Sequence, residues 1–263
     1  VPIEIVEGEA AVANVYAQPA NVMLYGPPGI GKTTSAISLF CKDGKCSAFA
    51  IPCEDGALKT IASLGLPIPS HPKETVKTWG QMVDTIGWLA QPENRGRFTG
   101  VVLDGFSPFA ANLYREAAAS LKGNNKFDIP VMVRNAMFQL RTWFRALGLH
   151  CIIVAHALPP TVQDGIFYPG LFEVVPKSIG RILFGEIDTV LRVDYITPGP
   201  GQKPIRVFFT GGEIWPQALG PMSVPPPDWR SWLMKNREGC NDAVVPADLG
   251  AFLRGRRPAY QGL

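Results

Sequence analysis

Short apolar runs that break off on a polar residue recur along the chain, and apolar positions at helical spacing fill the stretches between them. Residues 21–25, 47–53, 98–104 and 150–156 each have the near-continuous hydrophobic character of a strand buried on both faces. The run Thr34-Ser35-Ala36-Ile37-Ser38-Leu39-Phe40 reads as the start of a helix, and Cys41-Lys42-Asp43-Gly44-Lys45 as the turn after it. Over 76–90, Val76, Trp79, Met82, Val83, Ile86 and Leu89 predict a helix that Pro92 and Gly96 stop. Ser107 and Pro108 predict an N-cap and a first-turn proline for a helix running to Gly123. Asp128 and Pro130 open another, with Val133, Ala136, Met137, Leu140, Trp143, Phe144 and Leu147 on one face. Segments 187–195 and 205–210 alternate on either side of Pro198-Gly199-Pro200-Gly201 and predict an antiparallel hairpin.

Apolar strands alternating with helices predict an α/β fold. Its sheet is mainly parallel, covered by helices on both faces and closed by the hairpin, with ligands bound at the carboxyl ends of the strands. The expected division is an N-terminal arm (1–19), one core (20–220) and a proline-rich tail (221–263) with a short helix over 228–235.

The connection after the first strand carries the strongest chemistry. Gly26-Pro27-Pro28-Gly29-Ile30-Gly31-Lys32-Thr33, followed by Thr34, fits the phosphate-loop pattern G-x-x-x-x-G-K-[ST] without mismatch. It also lies where that pattern has meaning, between a strand and a helix. Backbone N–H groups of such a loop point at phosphates, Lys32 reaches the β- and γ-phosphates, and the Thr33 hydroxyl holds Mg²⁺. The expected ligands are therefore ATP or another nucleoside triphosphate, with Mg²⁺.

Three further polar strand ends are candidates for the same site. Asp104 closes an apolar strand beside the loop, where Mg²⁺ needs a carboxylate; capping the next helix is its plainer role. Glu54 ends the second strand and is a candidate base for the attacking water, with Asp55 as competitor and a solvated turn acid as the plain reading. His156 ends the fourth strand, where a polar group would meet the γ-phosphate and pass its presence to the loop 157–180; a packed strand-end histidine is the alternative.

These residues resemble the RecA-type recombinase and helicase ATPase core, and most nearly its compact phage-encoded recombination and single-strand-annealing members. The motifs that carry the resemblance are the phosphate loop, the strand Val101-Val102-Leu103-Asp104, Phe49-Ala50-Ile51-Pro52-Cys53-Glu54, and His156 after Ile152-Ile153-Val154. Pro176-Lys177 ahead of Asp188-Thr189-Val190 is similar too. The resemblance spans about residues 20–235. It implies ATP hydrolysis in a homo-oligomer, ring or filament, on DNA, with single-stranded DNA expected. It places DNA at two loops, one with Lys122 and Lys126 and one with Lys177 and Arg181; a finger reaching a neighbour's γ-phosphate, or plain surface charge, is the other role for the last two. One departure stands out. Where RecA proteins carry lysines beyond a late strand, this chain has Thr210-Gly211-Gly212-Glu213.

Composition narrows the setting. Of 263 residues, 46% are hydrophobic and 18% charged, which fits a globular protein rather than a disordered one. A net charge of +3 permits a polyanionic partner without requiring it, and the run Arg254-Gly255-Arg256-Arg257 is either a nucleic-acid arm or a solubilising tail. Cys41-x₄-Cys46 would be half of a metal knuckle, but no second pair completes it, and reduced thiols in a cytoplasm are expected, that of a bacterial host if the chain is phage-encoded. No apolar run is long enough for a membrane span. A nucleotide-gated module or small-molecule kinase is a further reading, but a kinase would want an arginine-rich lid and the loop 157–180 has no arginine. A GTPase would want a base-reading Asn-Lys-x-Asp, and none appears; an AAA+ protein would want a C-terminal helical lid, for which the proline-rich tail is a poor fit. An assembly or packaging ATPase with a protein partner stays compatible with the same site.

Overall fold

A computed structural model describes residues 19–64, 75–121, 128–158, 161–163, 166–168, 173, 187, 189–196, 205–209, 244–246 and 249. Strand β1 (Asn21–Gly26) leads through the glycine loop into α1 (Lys32–Ser38). A small hairpin, β2 (Cys41–Lys42) and β3 (Lys45–Cys46), precedes β4 (Ala48–Pro52), α2 (Asp55–Ser63) and α3 (Trp79–Ala90). Then come β5 (Gly100–Asp104), α4 (Phe106–Ser120), α5 (Asp128–Ala146) and β6 (His150–His156). The remaining strands are β7 (Thr161–Gln163), β8 (Ile166–Tyr168), β9 (Thr189–Ile196), β10 (Ile205–Phe209) and β11 (Val244–Pro246).

The main sheet has the order β11-β10-β9-β1-β6-β5-β4. From β9 through β4 the neighbours run parallel, while β9–β10 and β10–β11 are antiparallel. This is the mainly parallel sheet with a closing hairpin that the hydrophobic pattern predicts. Because strand side chains alternate between faces, each parallel strand divides its apolar residues between two cores. Met23, Phe49, Ile51, Val101 and Leu103 pack with Met82 of α3, Phe109 of α4 and Leu140 of α5. Val22, Leu24, Ala50, Val102, Ile152, Leu191 and Val193 pack with Ala36 and Ile37 of α1 and Ile61 of α2. Helices on both faces follow from that division.

Several boundaries differ from the sequence expectation for identifiable reasons. The helix expected from Val76 begins at Trp79, because Thr78 and Gln81 form a reciprocal capping box. Val76 instead donates its N–H to the carbonyl of Pro52 at 2.7 Å, extending the backbone past β4. The helix at the phosphate loop starts at Lys32 rather than Thr34. Ser107 is not an N-cap: Gly105, left-handed at φ 90°, holds that position and the helix starts at Phe106. A β-carbon at Gly105 would press on Glu54, so the glycine admits both the turn and the neighbour.

The turn after α1 is the β2–β3 hairpin, with Asp43 and Gly44 both at positive φ as a type I′ turn requires. It pairs Cys41 with Cys46 as free thiols, and among the described residues no group of three or more His, Cys, Asp or Glu side chains is placed to hold a metal. The long loop after His156 carries the β7–β8 hairpin. Within the segment expected as a tail, Val244–Pro246 adds to the edge of β10 and Leu249 is buried in the second core. The arm over 1–18, the short helix over 228–235 and the basic run 254–257 lie outside the described residues. No helix among those described is long and apolar enough to cross a membrane.

Candidate functional site

The parallel register brings the polar strand ends together. Gly26 at the end of β1 lies opposite His156 at the end of β6, and Pro52 at the end of β4 lies opposite Asp104 at the end of β5. Since β6 sits between β1 and β5, the histidine falls between the phosphate loop and the aspartate strand. Glu54 follows β4, one strand further, and lies against Gly105. Lys32, Thr33, Glu54, Asp104 and His156 therefore share the carboxyl edge of the sheet.

Within this group the hydrogen bonds are specific. Thr33 Oγ1 donates to Asp104 Oδ2 at 2.7 Å, joining the two oxygen donors expected to face Mg²⁺. Lys32 Nζ donates to the carbonyls of Gly26 at 3.0 Å and Pro27 at 2.7 Å, folded over its own loop. Glu54 Oε2 and His156 Nε2 are 3.0 Å apart. The two residues expected to act separately thus hold each other. Asp55 is elsewhere: its side chain is 77% exposed and pairs with Lys77 at 3.5 Å. In the loop itself Ile30 is buried, Pro28 and Gly29 are exposed, and Pro27, Gly31, Thr33 and Thr34 are half-buried.

Burial sets the electrostatics. Asp104 is only 2% exposed, and loss of water pushes its carboxyl up to about 6; the Thr33 bond and the Lys32 charge oppose the rise, while Glu54 adds to it. Lys32, 6% exposed, is pulled below its ordinary value by burial, against the pull of Asp104 and Glu54. The His156 bond holds Glu54 below the usual carboxylate range despite partial burial. The same bond raises His156, again against burial.

These shifts give the pair a pH window. Glu54 is depressed, so its share of stability is present above the ordinary value of 4.5 and is lost as pH falls through the lowered one. His156 is raised, so its share is complete below 6.5 and is lost as pH rises through the raised value. The melting difference between wild type and a His156→Ala variant is expected to be largest between 4.5 and 6.5 and to shrink as pH rises through the raised His156 value or falls through the lowered Glu54 value. For this partly exposed pair it should be about 2–4 °C, from on the order of 1 kcal/mol. Melting curves recorded from pH 4 to 9 check it; a difference that does not change with pH would show that the pair is not ionised.

Sequence reasoning missed two residues here. Ser107, expected to cap, accepts the N–H of His156 at 3.0 Å and donates its hydroxyl to the Glu173 carbonyl at 2.7 Å. Glu173 in turn donates its N–H to the His156 carbonyl at 2.7 Å, tying the long loop back to the strand it left. Arg206 of β10 places Nη1 against the carbonyls of Ile30 and Gly31. A single cation in an alternating strand is the only sequence sign of Arg206, and it does not say where the hairpin docks. Lys122, Lys126, Lys177 and Arg181 lie outside the described residues.

Comparison with known proteins bears on the same region. A family profile described as AAA domain matches residues 18–212. No curated protein is significantly similar to the chain. Among solved structures, a KaiC-like protein of the hyperthermophilic archaeon Pyrococcus horikoshii OT3 aligns over 73% of this chain and 78% of its own, with 14% identity and a TM-score of 0.41.

Proposed function

The chain belongs to the AAA domain family of P-loop ATPases, and from that premise we propose that it hydrolyses ATP with Mg²⁺, as a homo-oligomer working on single-stranded DNA in recombination, annealing or replication. The observation that carries the hydrolysis half is the convergence of Lys32, the Thr33–Asp104 pair and the Glu54–His156 pair on one sheet edge. Lys32 neutralises the β- and γ-phosphates. Thr33 and Asp104 would hold Mg²⁺: they offer hard oxygen donors, and this ion is ordinarily bound by one or two carboxylates with the substrate phosphates completing its shell. Bound there, Mg²⁺ would withdraw charge from the phosphate oxygens. Glu54, ionised at neutral pH, orients the attacking water and takes its proton. His156 holds the Glu54 carboxylate and stands between it and the phosphate loop, so its partner depends on whether a γ-phosphate is present.

The DNA half rests on the RecA-like order of these residues and on Lys122, Lys126, Lys177 and Arg181, which suit sequence-independent phosphate binding. ATP turnover with and without single-stranded DNA tests it. Stimulation of several-fold or more that fades as salt rises is expected. Unchanged turnover, with no DNA retained at low salt, would overturn the DNA reading and leave an assembly ATPase with a protein partner.

A further inference from the structure

Arg206 has no part in the chemistry above, yet it touches the phosphate loop. It is carried on β10, opposite Tyr195 of β9 in the antiparallel register. Its Nη1 donates to the carbonyl oxygens of Ile30 at 3.3 Å and Gly31 at 3.4 Å. A β-carbon on Gly31 would overlap Arg206 Nη1, so the guanidinium lies directly on the loop backbone.

The consequence follows from peptide geometry. In a planar trans peptide the carbonyl of one residue and the N–H of the next point in opposite directions. Fixing the Ile30 carbonyl fixes the direction of the Gly31 N–H, and fixing the Gly31 carbonyl fixes that of the Lys32 N–H. The second peptide is held twice, since the Gly31 carbonyl also accepts the Ser35 N–H at 3.0 Å. These N–H groups belong to the stretch with which a phosphate loop cradles its anion. Fixing them matters because Gly29 and Gly31, at φ 75° and 88°, leave the loop backbone free to rotate when nothing restrains it.

We propose that Arg206 is a positioning residue of the nucleotide site. From the closing hairpin it holds the peptides on either side of Gly31 with their N–H groups turned toward the phosphates, and its fixed charge adds to the field an incoming triphosphate meets. This rests on the reading that the site binds ATP. Phosphates sit in the cradle before and during the reaction, so the contribution is uniform binding. It acts on affinity and leaves the chemical step nearly untouched. It also makes the hairpin, distant in sequence from the loop, part of the same chain's nucleotide site.

The test measures Kd for a fluorescent ATP analogue with Mg²⁺, steady-state kcat and KM, and melting temperature, for wild type, Arg206→Met and Arg206→Lys. Methionine keeps a long apolar stem and removes every donor. It is expected to raise Kd and KM on the order of tenfold, the loss typical of a hydrogen bond from a charged donor, with kcat changed by less than about threefold. Lysine keeps the charge without the planar donors and is expected to fall between the two. Wild-type Kd in the methionine variant, or a fall in kcat at unchanged KM, overturns the proposal. If the methionine variant does not fold, the lysine variant decides: a raised KM at wild-type melting temperature supports the role, and a wild-type KM overturns it. A wild-type protein that binds no nucleotide removes the ATP reading and this proposal together. Nucleotide binding that is equal in wild type and variants removes only the role of Arg206.

Discussion

Glu54→Gln is expected to bind ATP as wild type does and to hydrolyse it at least ~10²-fold more slowly, the loss typical of a missing general base. Glutamine keeps the size of the side chain and can still meet His156 Nε2, which sits 3.0 Å from Glu54 Oε2. What it cannot do is accept a proton from water. The effect should appear in single-turnover hydrolysis while nucleotide affinity stays put, because the substitution removes a group needed only in the transition state. The His156 bond sharpens this expectation. It holds the Glu54 carboxyl low, which keeps the group ionised but makes it a weaker base than a free carboxylate. On the proposed mechanism, exchange of that bond for one to the attacking water is part of reaching the reactive state. Near-normal turnover in the variant would move the base elsewhere, and not to Asp55, whose carboxylate faces Lys77 in solvent.

Lys32→Ala is expected to lower kcat/KM by about 10²–10³-fold or more, the range found when one preorganised donor is removed from a developing charge, with nucleotide affinity falling as well. The structure supplies two reasons. The ammonium is the cation proposed to meet the β- and γ-phosphates, and it bonds the carbonyls of Gly26 and Pro27, bracing the turn from which the loop springs. Its burial beside Asp104 and Glu54 means that removal also leaves two acids without their compensating charge. Steady-state hydrolysis and nucleotide titration read both consequences. Unaltered affinity would show that loop N–H groups alone carry phosphate binding.

Much of this architecture is written in local pattern. Strands that end abruptly on Asp104 and His156 announce both their buried length and the edge where chemistry collects, because a continuous apolar run has no reason to stop on a buried or half-buried polar group unless that group has work there. The phosphate loop is legible for a similar reason: Gly29 and Gly31 occupy left-handed backbone positions that other residues avoid. What local pattern cannot express is adjacency between distant segments. Nothing in residues 150–156 states that this strand enters between β1 and β5, and hence nothing states that His156 meets Glu54. Ser107 illustrates the same limit. Followed by a proline, it satisfies every local rule for an N-cap, yet Gly105 takes the cap and the hydroxyl serves His156 and Glu173 instead. Arg206 is the extreme case, since only the docking of the hairpin that carries it brings it to the loop.

The bond from the Glu173 amide to the His156 carbonyl divides the chain beyond β6 into a closed excursion and a separate onward path. Closing a loop costs entropy that grows only as the logarithm of its length, so fastening one midpoint is a cheap way to restrict everything between the fastened ends. His156 lies at the base of that excursion, with its N–H on Ser107 and its ring on Glu54. The backbone of this one strand-end residue therefore fastens Glu173 and Ser107 together, while its ring fastens the same point to Glu54.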